Sequence, residues 1–403
     1  MPNVLPLLLA TSITLPGLFL RLAEAHAAAP LTALLAGTAI LGASFLLLWA
    51  CDAAQADMPQ SLALAVVALI AVLPEYAVDM YFTWMAGTHP ESNYAHYAIA
   101  NMTGANRLLI GVAWATVAWI CWLRTKKRVL LSPDRRTEIL FLGLATAWAL
   151  LIPIKGSLAW YDGVVLVGLY VWYIRLASQR PCEECELHGT ADLIGNLPRT
   201  QRRLATAGLF LFAAATIGAC AEPFSESLVA SGRILGVDEF LLVQWLAPIA
   251  SEAPEFIVAI MFVWRGDAAT ALGSLLSAKL NQWTLLVGMI PLVYGVASGG
   301  VHPMPLDAFQ MQELLLTAAQ SLLAVGFLAG LSLGPRRSAL LFALFAGQLL
   351  SPLFLERMHA DIPPSQAHPF FTALYLGSFA LLVLARRREL AALRLGFRAH
   401  SDR

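Results

Sequence analysis

Long apolar segments recur along almost the whole chain, and short stretches rich in polar and charged residues separate them. A helix that crosses a bilayer takes ~17 to 25 residues, and these segments are long enough. They lack the alternation that the strands of a transmembrane barrel require. The pattern therefore predicts about twelve membrane helices, at residues 4–22, 31–51, 58–86, 94–123, 138–154, 160–177, 204–230, 239–264, 268–297, 310–333, 338–355 and 367–385.

Composition supports an all-α membrane protein with little room for a soluble domain. Apolar residues make up 59% of the 403 residues and charged residues only 13%. The first segment has no basic leader or small-residue cleavage site, so we expect 4–22 to be a retained helix. The sequence contains no P-loop, no HExxH and no dinucleotide fingerprint. We therefore expect neither an enzyme nor a cofactor, and we read the basic tail as an orientation signal rather than a nucleic-acid site.

Basic residues are distributed unevenly between the two sides of the predicted membrane. If the twelve segments alternate, twenty of the 26 Lys and Arg residues fall on one side and four on the other. Cytoplasmic loops carry the excess of basic residues, so both termini are predicted to be cytoplasmic. The missing targeting segment and the 43.5 kDa size suit a bacterial inner membrane. The remaining two basic residues, Arg107 and Lys279, lie inside predicted helices.

Two matching stretches place a proline and a glutamate inside apolar segments, Pro74-Glu75 and Pro254-Glu255. An ionisable residue at membrane depth is costly and marks a functional site by default. The helix of Glu255 comes five positions after the helix of Glu75 in the count, an odd number, so the two halves cross the membrane in opposite senses, as in secondary transporters. The predicted organisation is two inverted five-helix repeats with one extra helix at each end. The divisions are 1–30 (extra helix), 31–177 (first repeat), 178–203 (cytoplasmic loop), 204–357 (second repeat) and 358–403 (extra helix and basic tail).

The tandem pattern resembles the alpha repeats of the calcium/cation antiporter superfamily, which includes the sodium/calcium exchangers. In those repeats a Pro-Glu step is followed on the next helix by Gly-Ser-Asn, with a further Asn or Asp three residues on. The resemblance covers roughly 31–357. It implies secondary-active exchange of inorganic cations (Na⁺, H⁺ or Ca²⁺) across the lipid bilayer, by alternating access around a midplane site. It also implies that Glu75 and Glu255 are the main ligands.

Around these two acids the chain departs from the family pattern. The hydroxyl positions before the proline are apolar in the first half, whereas the second half has Ser251 and an extra acid, Glu252. Gly-Ser-Asn becomes Gly104-Ala105-Asn106 in one half and Ser277-Ala278-Lys279 in the other. The final amide or acid becomes Leu109 and Gln282. The predicted ion-binding residues are Glu75, Asp79, Asn106, Ser251, Glu252, Glu255 and Gln282.

The loss of oxygen ligands bears on the choice of ion. Calcium takes six to eight oxygens, whereas a proton needs one carboxylate of suitable pKa. The departures therefore favour coupling to protons or a monovalent cation.

Arg107 and Lys279 are predicted to act as internal cations. A buried guanidinium or ammonium without a partner would cost several kcal/mol. We therefore expect Arg107 to pair with Glu75 or Asp79, and Lys279 with Glu252 or Glu255, until an ion or proton displaces them. Two alternatives stay open. One is a non-transporting or regulatory membrane protein locked by these pairs. The other is a channel, although the apolar flanks of both Pro-Glu steps show no continuous polar stripe.

The polar segment between the repeats contains Cys182, Cys185 and His188. Two thiols and an imidazole at this spacing supply three of the four ligands of a structural zinc site. No fourth ligand is evident nearby. The alternative is a solvated acidic loop.

Overall fold

The computed structural model describes residues 4–25, 27–57, 72–179, 190–357 and 367–397, and these are overwhelmingly helical. The helices are α1 (Leu5–Leu22), α2 (Ala29–Ala54), α3 (Leu73–Thr88), α4 (Tyr94–Leu108), α5 (Ala115–Thr125), α6 (Arg136–Ala149), α7 (Ile152–Lys155), α8 (Trp160–Ala177), α9 (Thr190–Gly195), α10 (Arg199–Leu235), α11 (Glu239–Trp264), α12 (Ala268–Asn281), α13 (Val287–Ala297), α14 (Ala308–Leu328), α15 (Pro335–Arg357) and α16 (Ala367–Ala392). Short 3-10 turns are at Gln55–Asp57, Pro133–Arg135 and Leu393–Phe397, and π-helical turns are at Leu109–Trp114 and Gln282–Leu286.

The prediction of an all-helical membrane protein is confirmed. Nine helical stretches in the described part of the chain are long and apolar enough to cross a membrane. Each predicted segment contains a helix in its described residues, although 58–71 lies outside them. The total of twelve spans stays a prediction.

Four two-residue strands connect loops in antiparallel pairs. β1 (Val129–Leu130) pairs with β4 (Ser332–Leu333), and β2 (Ser157–Leu158) pairs with β3 (Met304–Pro305). Each pair joins two loops that the alternating span count places on the same side of the membrane. The pairing is consistent with that count, while the side that faces the cytoplasm stays a prediction.

The chain divides into two compact units. The first contains Met1–Met85 and Ile174–Pro254, and the second contains Ala86–Tyr173 and Glu255–Arg403. Each unit draws residues from both halves of the sequence. The boundaries proposed for the inverted repeats are not tested by this division and stay predictions.

In the first unit, the extra N-terminal helix α1 packs closely against α2. A Cβ atom at Gly17 would lie 2.6 Å from the Ala39 Cβ and 2.7 Å from the Leu35 carbonyl oxygen. A Cβ atom at Gly42 would lie 2.6 Å from the Ala10 carbonyl oxygen. Small residues at such positions let membrane helices approach closely, so α1 is held by close packing on α2 as well as by the ion pair of Arg21 with Glu222 of α10.

A carboxylate at the end of α2 fixes the start of α10. Arg202 donates two hydrogen bonds to Asp57, at 2.7 and 2.9 Å, and Arg203 and Arg199 lie 3.3 and 3.6 Å from the same carboxylate. Hydrogen bonding from Arg202 lowers the pKa of Asp57 to about 2. The folded pKa is below the unfolded value of ~3.9, so this stabilisation is present above that value and is lost as pH falls toward 2.

In the second unit, α14 lies at the centre. It begins with a capping box in which Asp307 and Gln310 exchange hydrogen bonds. Polar residues inside the helix are fully buried, among them Thr317, Gln320 and Ser321. On the face toward α16, a Cβ atom at Gly326 would lie 2.5 Å from Leu382. The extra C-terminal helix is therefore packed against a buried helix that carries polar groups.

Replacing Gly17 with alanine tests the packing of α1. Because the new methyl group would press on backbone as well as side-chain atoms, we expect a loss of about 1–3 kcal/mol of stability. Gly208→Ala is the matched control, since a Cβ atom there meets nothing within 4 Å. Thermal unfolding in detergent should show a lower midpoint for Gly17→Ala alone. Equal midpoints for the two variants would contradict the close packing of α1 on α2.

Candidate functional site

The first Pro-Glu step opens helix α3. Pro74 is the second residue of the helix, where a missing backbone N–H costs little. Glu75 is 1% exposed, and Asp79, one turn further along, is fully buried. Two acids four residues apart share a helical face. Both side chains are therefore withdrawn from solvent, while their role as ion ligands stays a prediction.

The second Pro-Glu step lies inside a continuous helix, α11. Pro254 has no N–H to donate to the Ala250 carbonyl, so the backbone there lacks one helical hydrogen bond. Ser251 and Glu252 are buried at 4% and 3% exposure. Glu255 is half-buried. The two Pro-Glu steps therefore differ locally, one at a helix start and one in a helix interior.

The predicted ion-binding residues are divided between the two units. Glu75, Asp79, Ser251 and Glu252 belong to the first unit, whereas Asn106, Glu255 and Gln282 belong to the second together with Arg107 and Lys279. A single site formed by Glu75 and Glu255 stays a prediction.

Within the second unit, the ammonium of Lys279 binds oxygens of Asn106. Lys279 Nζ donates to Asn106 Oδ1 at 2.6 Å and to the Asn106 carbonyl at 3.2 Å. It also lies 4.4 Å from the centroid of the Trp283 ring, a cation–π distance. Asn106 Nδ2 donates to the Met102 carbonyl at 2.8 Å, which fixes the amide with Oδ1 toward the lysine. A predicted ion ligand thus already holds a positive charge supplied by the protein.

Two π-helical turns follow the two motif helices at matching places. One begins at Leu109 and the other at Gln282, the two residues that the sequence alignment had made equivalent. Each contains a fully buried tryptophan, Trp114 and Trp283. Single π turns inside helices occur frequently at functional sites. The repeated turn supports the correspondence between the halves and places Gln282 directly after the helix of Lys279.

Arg107 pairs with an acid that sequence reasoning missed. Its guanidinium forms a buried ion pair with Glu313 of α14, and Glu313 Oε1 lies 3.1 Å from His368 Nε2 of α16. The contacts predicted for Arg107, with Glu75 or Asp79, would join the two units and stay predictions. The contacts predicted for Lys279, with Glu252 or Glu255, also stay predictions.

Glu313 and His368 had a weak signal in the sequence. Both lie near the ends of predicted membrane segments, where a polar residue ordinarily reaches the headgroup region. Their burial, 1% for Glu313 and 13% for the His368 side chain, appears only in the folded chain. The sequence signal for a buried acid of this kind is Arg107 itself, because an arginine inside a membrane helix requires a partner.

The zinc hypothesis is not tested. Cys182, Cys185 and His188 lie outside the described residues. Among the residues that the structure describes, no group of three or more His, Cys, Asp or Glu side chains is placed to hold a metal ion.

Buried acids on proline-containing helices inside a helical membrane protein are typical of transporters of charged solutes. The model of the sodium/calcium exchanger protein family matches residues 28–179 and 205–354. The chain therefore belongs to the sodium/calcium exchanger family. It is an integral, multi-pass membrane protein and a cation antiporter, not an enzyme.

Solved structures agree with this assignment. The chain is similar to the H⁺/Ca²⁺ exchanger CAX, with 44% identity over 97% of both chains and a TM-score of 0.90. It shares its fold with the Ca²⁺/H⁺ antiporter YfkE, at 14% identity over 87% of this chain and 99% of that one, with a TM-score of 0.63. It also shares it with the sodium-calcium exchanger NCX_Mj, at 19% identity over 80% and 98%, with a TM-score of 0.54. No match was found among curated proteins.

Neutralising the Arg107–Glu313 pair one side at a time tests its energetic role. Arg107→Gln or Glu313→Gln alone removes one member of a buried ion pair, so each should cost about 3–5 kcal/mol of stability. The double variant should recover most of that loss. Thermal unfolding of the three variants in detergent gives the coupling free energy. Additive effects of the two substitutions would contradict a direct pair.

Proposed function

We propose that this antiporter exchanges protons for a metal cation by alternating access around Glu75 and Glu255, with Lys279 as an internal cation. The observation that carries the proposal is the fully buried Lys279 ammonium held by both oxygens of Asn106. An asparagine stands at the lysine position in the family pattern.

A shortage of oxygen ligands supports the proton as the coupled ion. The Asn106 oxygens accept from Lys279, and the Ser251 hydroxyl donates to carbonyls of its own helix. A sodium or calcium ion needs several oxygens at once, whereas a proton needs only one carboxylate. Glu75, Glu252 and Glu255 each supply such a group.

The second ion is a metal cation, and calcium is the first candidate. The exchanger CAX, 44% identical to this chain, is described as an H⁺/Ca²⁺ exchanger. A divalent ion ~4 Å from an ammonium is repelled by about 8 kcal/mol at an effective dielectric constant of ~20. Calcium binding at Asn106 therefore requires Lys279 to move away. The internal cation would then occupy the site in the absence of calcium and leave when calcium arrives.

Flux across proteoliposome membranes tests the acids. With a calcium reporter inside and a proton gradient imposed, the natural protein should move calcium, and Glu255→Gln or Glu75→Gln should reduce the rate at least about 100-fold, as the loss of an essential ligand charge would. The matched control is Glu222→Gln. Glu222 also adjoins a proline within a helix, but its side chain is 50% exposed and pairs with Arg21.

Three results of this experiment would contradict the proposal. A calcium flux that does not depend on the proton gradient would exclude proton coupling. Undiminished flux in Glu255→Gln would exclude the site. An absence of flux for sodium, calcium and protons alike would favour the locked, non-transporting alternative.

Lys279→Asn tests the internal cation. Removing the ammonium and restoring an amide oxygen should lower the calcium concentration for half-maximal flux at least about tenfold, equivalent to ~1.4 kcal/mol. Lys126→Asn is the control, since Lys126 is an exposed lysine that also lies over a tryptophan ring. An unchanged or raised half-maximal concentration in Lys279→Asn would show that the lysine does not compete with calcium.

A further inference from the structure

A second cluster of titratable groups lies in the second unit, apart from the Pro-Glu acids. It joins three helices through Arg107 of α4, Glu313 of α14 and His368 of α16. One carboxylate oxygen of Glu313 accepts from the guanidinium and the other lies 3.1 Å from the imidazole Nε2. A single buried carboxylate thus faces two basic groups.

The imidazole has one nitrogen available for a proton. His368 Nδ1 is buried and has no hydrogen-bond partner among the residues that the structure describes. Arg107 and Glu313 cancel each other's charge, so the cluster is neutral when His368 is neutral and carries one positive charge when His368 is protonated. Histidine is the side chain whose ordinary pKa of ~6.5 allows this change near physiological pH.

Among the residues that the structure describes, two charged groups lie close to His368. Arg107 and Glu313 act on it electrostatically from α4 and α14. On its own helix the next polar groups of the same face are Thr372 and Tyr375, four and seven residues on, and both are buried. Helix α15, which contacts α16 through Gly347 and Phe371, carries charged residues only near its ends, at Arg336, Arg337, Glu356 and Arg357.

The cluster is connected to the Lys279 contact through adjacent residues. Arg107 follows Asn106, whose oxygens bind Lys279, and the Arg107 carbonyl accepts from Gln320 Nε2 at 3.3 Å. The first π-helical turn begins two residues later, at Leu109. A change in the position of the Arg107 side chain therefore acts on the helix segment that holds Lys279.

We propose that His368 is a proton-binding group of the exchange cycle. When the imidazole is protonated, Glu313 divides its charge between two cations, which weakens its pairing with Arg107 and loosens the Asn106–Lys279 contact. When the proton leaves, Glu313 returns to Arg107 and the contact tightens. The inference rests on the proposed function in taking the proton as the coupled ion.

His368→Gln tests the proton site, because glutamine keeps a side-chain N–H for Glu313 but does not titrate. In proteoliposomes, the calcium flux of the natural protein should change about tenfold between about pH 5.5 and about pH 7.5, across the ordinary histidine pKa. In His368→Gln that dependence should shrink to about twofold or less, because the titrating imidazole is gone. The control is His96→Gln, which removes a partly exposed histidine that also pairs with a carboxylate, Asp307, at 3.2 Å. It should keep the natural pH dependence.

A second readout does not depend on transport. In protein labelled with ¹³C at histidine Cε1, the NMR signal that disappears in His368→Gln should shift as pH is varied from about 5 to about 9, with one titration step. A signal that does not shift over this range would overturn the proposal even if flux fails. Unchanged pH dependence in His368→Gln, with Glu255→Gln inactive, would overturn the proton site and leave the proposed function intact. A flux that does not depend on the proton gradient would overturn the proposed function. The NMR titration by itself would then test whether His368 binds a proton.

Discussion

The buried ammonium of Lys279 is the constraint on which the candidate site depends. A cation with no exposed surface requires partners, and these include two oxygens of Asn106 and the face of Trp283. An ammonium left unpaired at that depth would cost several kcal/mol. The contact therefore joins α12 to α4 and holds the second motif of each half together. It also places a positive charge at Asn106, a residue proposed to bind the transported ion.

A second buried cation, Arg107, connects the Lys279 contact to the C-terminal helix α16. Arg107 is the next residue after Asn106, and its ion pair with Glu313 leads to His368 on the extra C-terminal helix. That helix lies beyond the segments matched by the family model. Its packing against α14 gives it a connection to the site through charged groups, and not only through apolar contact.

Much of this organisation follows from local sequence. The helices follow from the length of the apolar segments, and the burial of Glu75, Asp79 and Glu252 follows from acids set within such segments. Aligning Gly104-Ala105-Asn106 with Ser277-Ala278-Lys279 makes Leu109 and Gln282 equivalent, and each begins a π-helical turn. The partners of the cations could not be predicted in this way. Arg107 and Glu313 are 206 residues apart in sequence, so only the packing of α4 on α14 brings them together. The π-helical turns themselves leave no distinct pattern of apolar spacing.

The distance between Lys279 Nζ and Asn106 Oδ1 in a structure with calcium bound tests the central claim most directly. The two atoms lie 2.6 Å apart here. If Lys279 is an internal cation that the transported ion displaces, calcium at the site should separate them beyond hydrogen-bond distance, ~3.5 Å. Calcium bound at Glu75 and Glu255 with the lysine still on Asn106 would contradict the account.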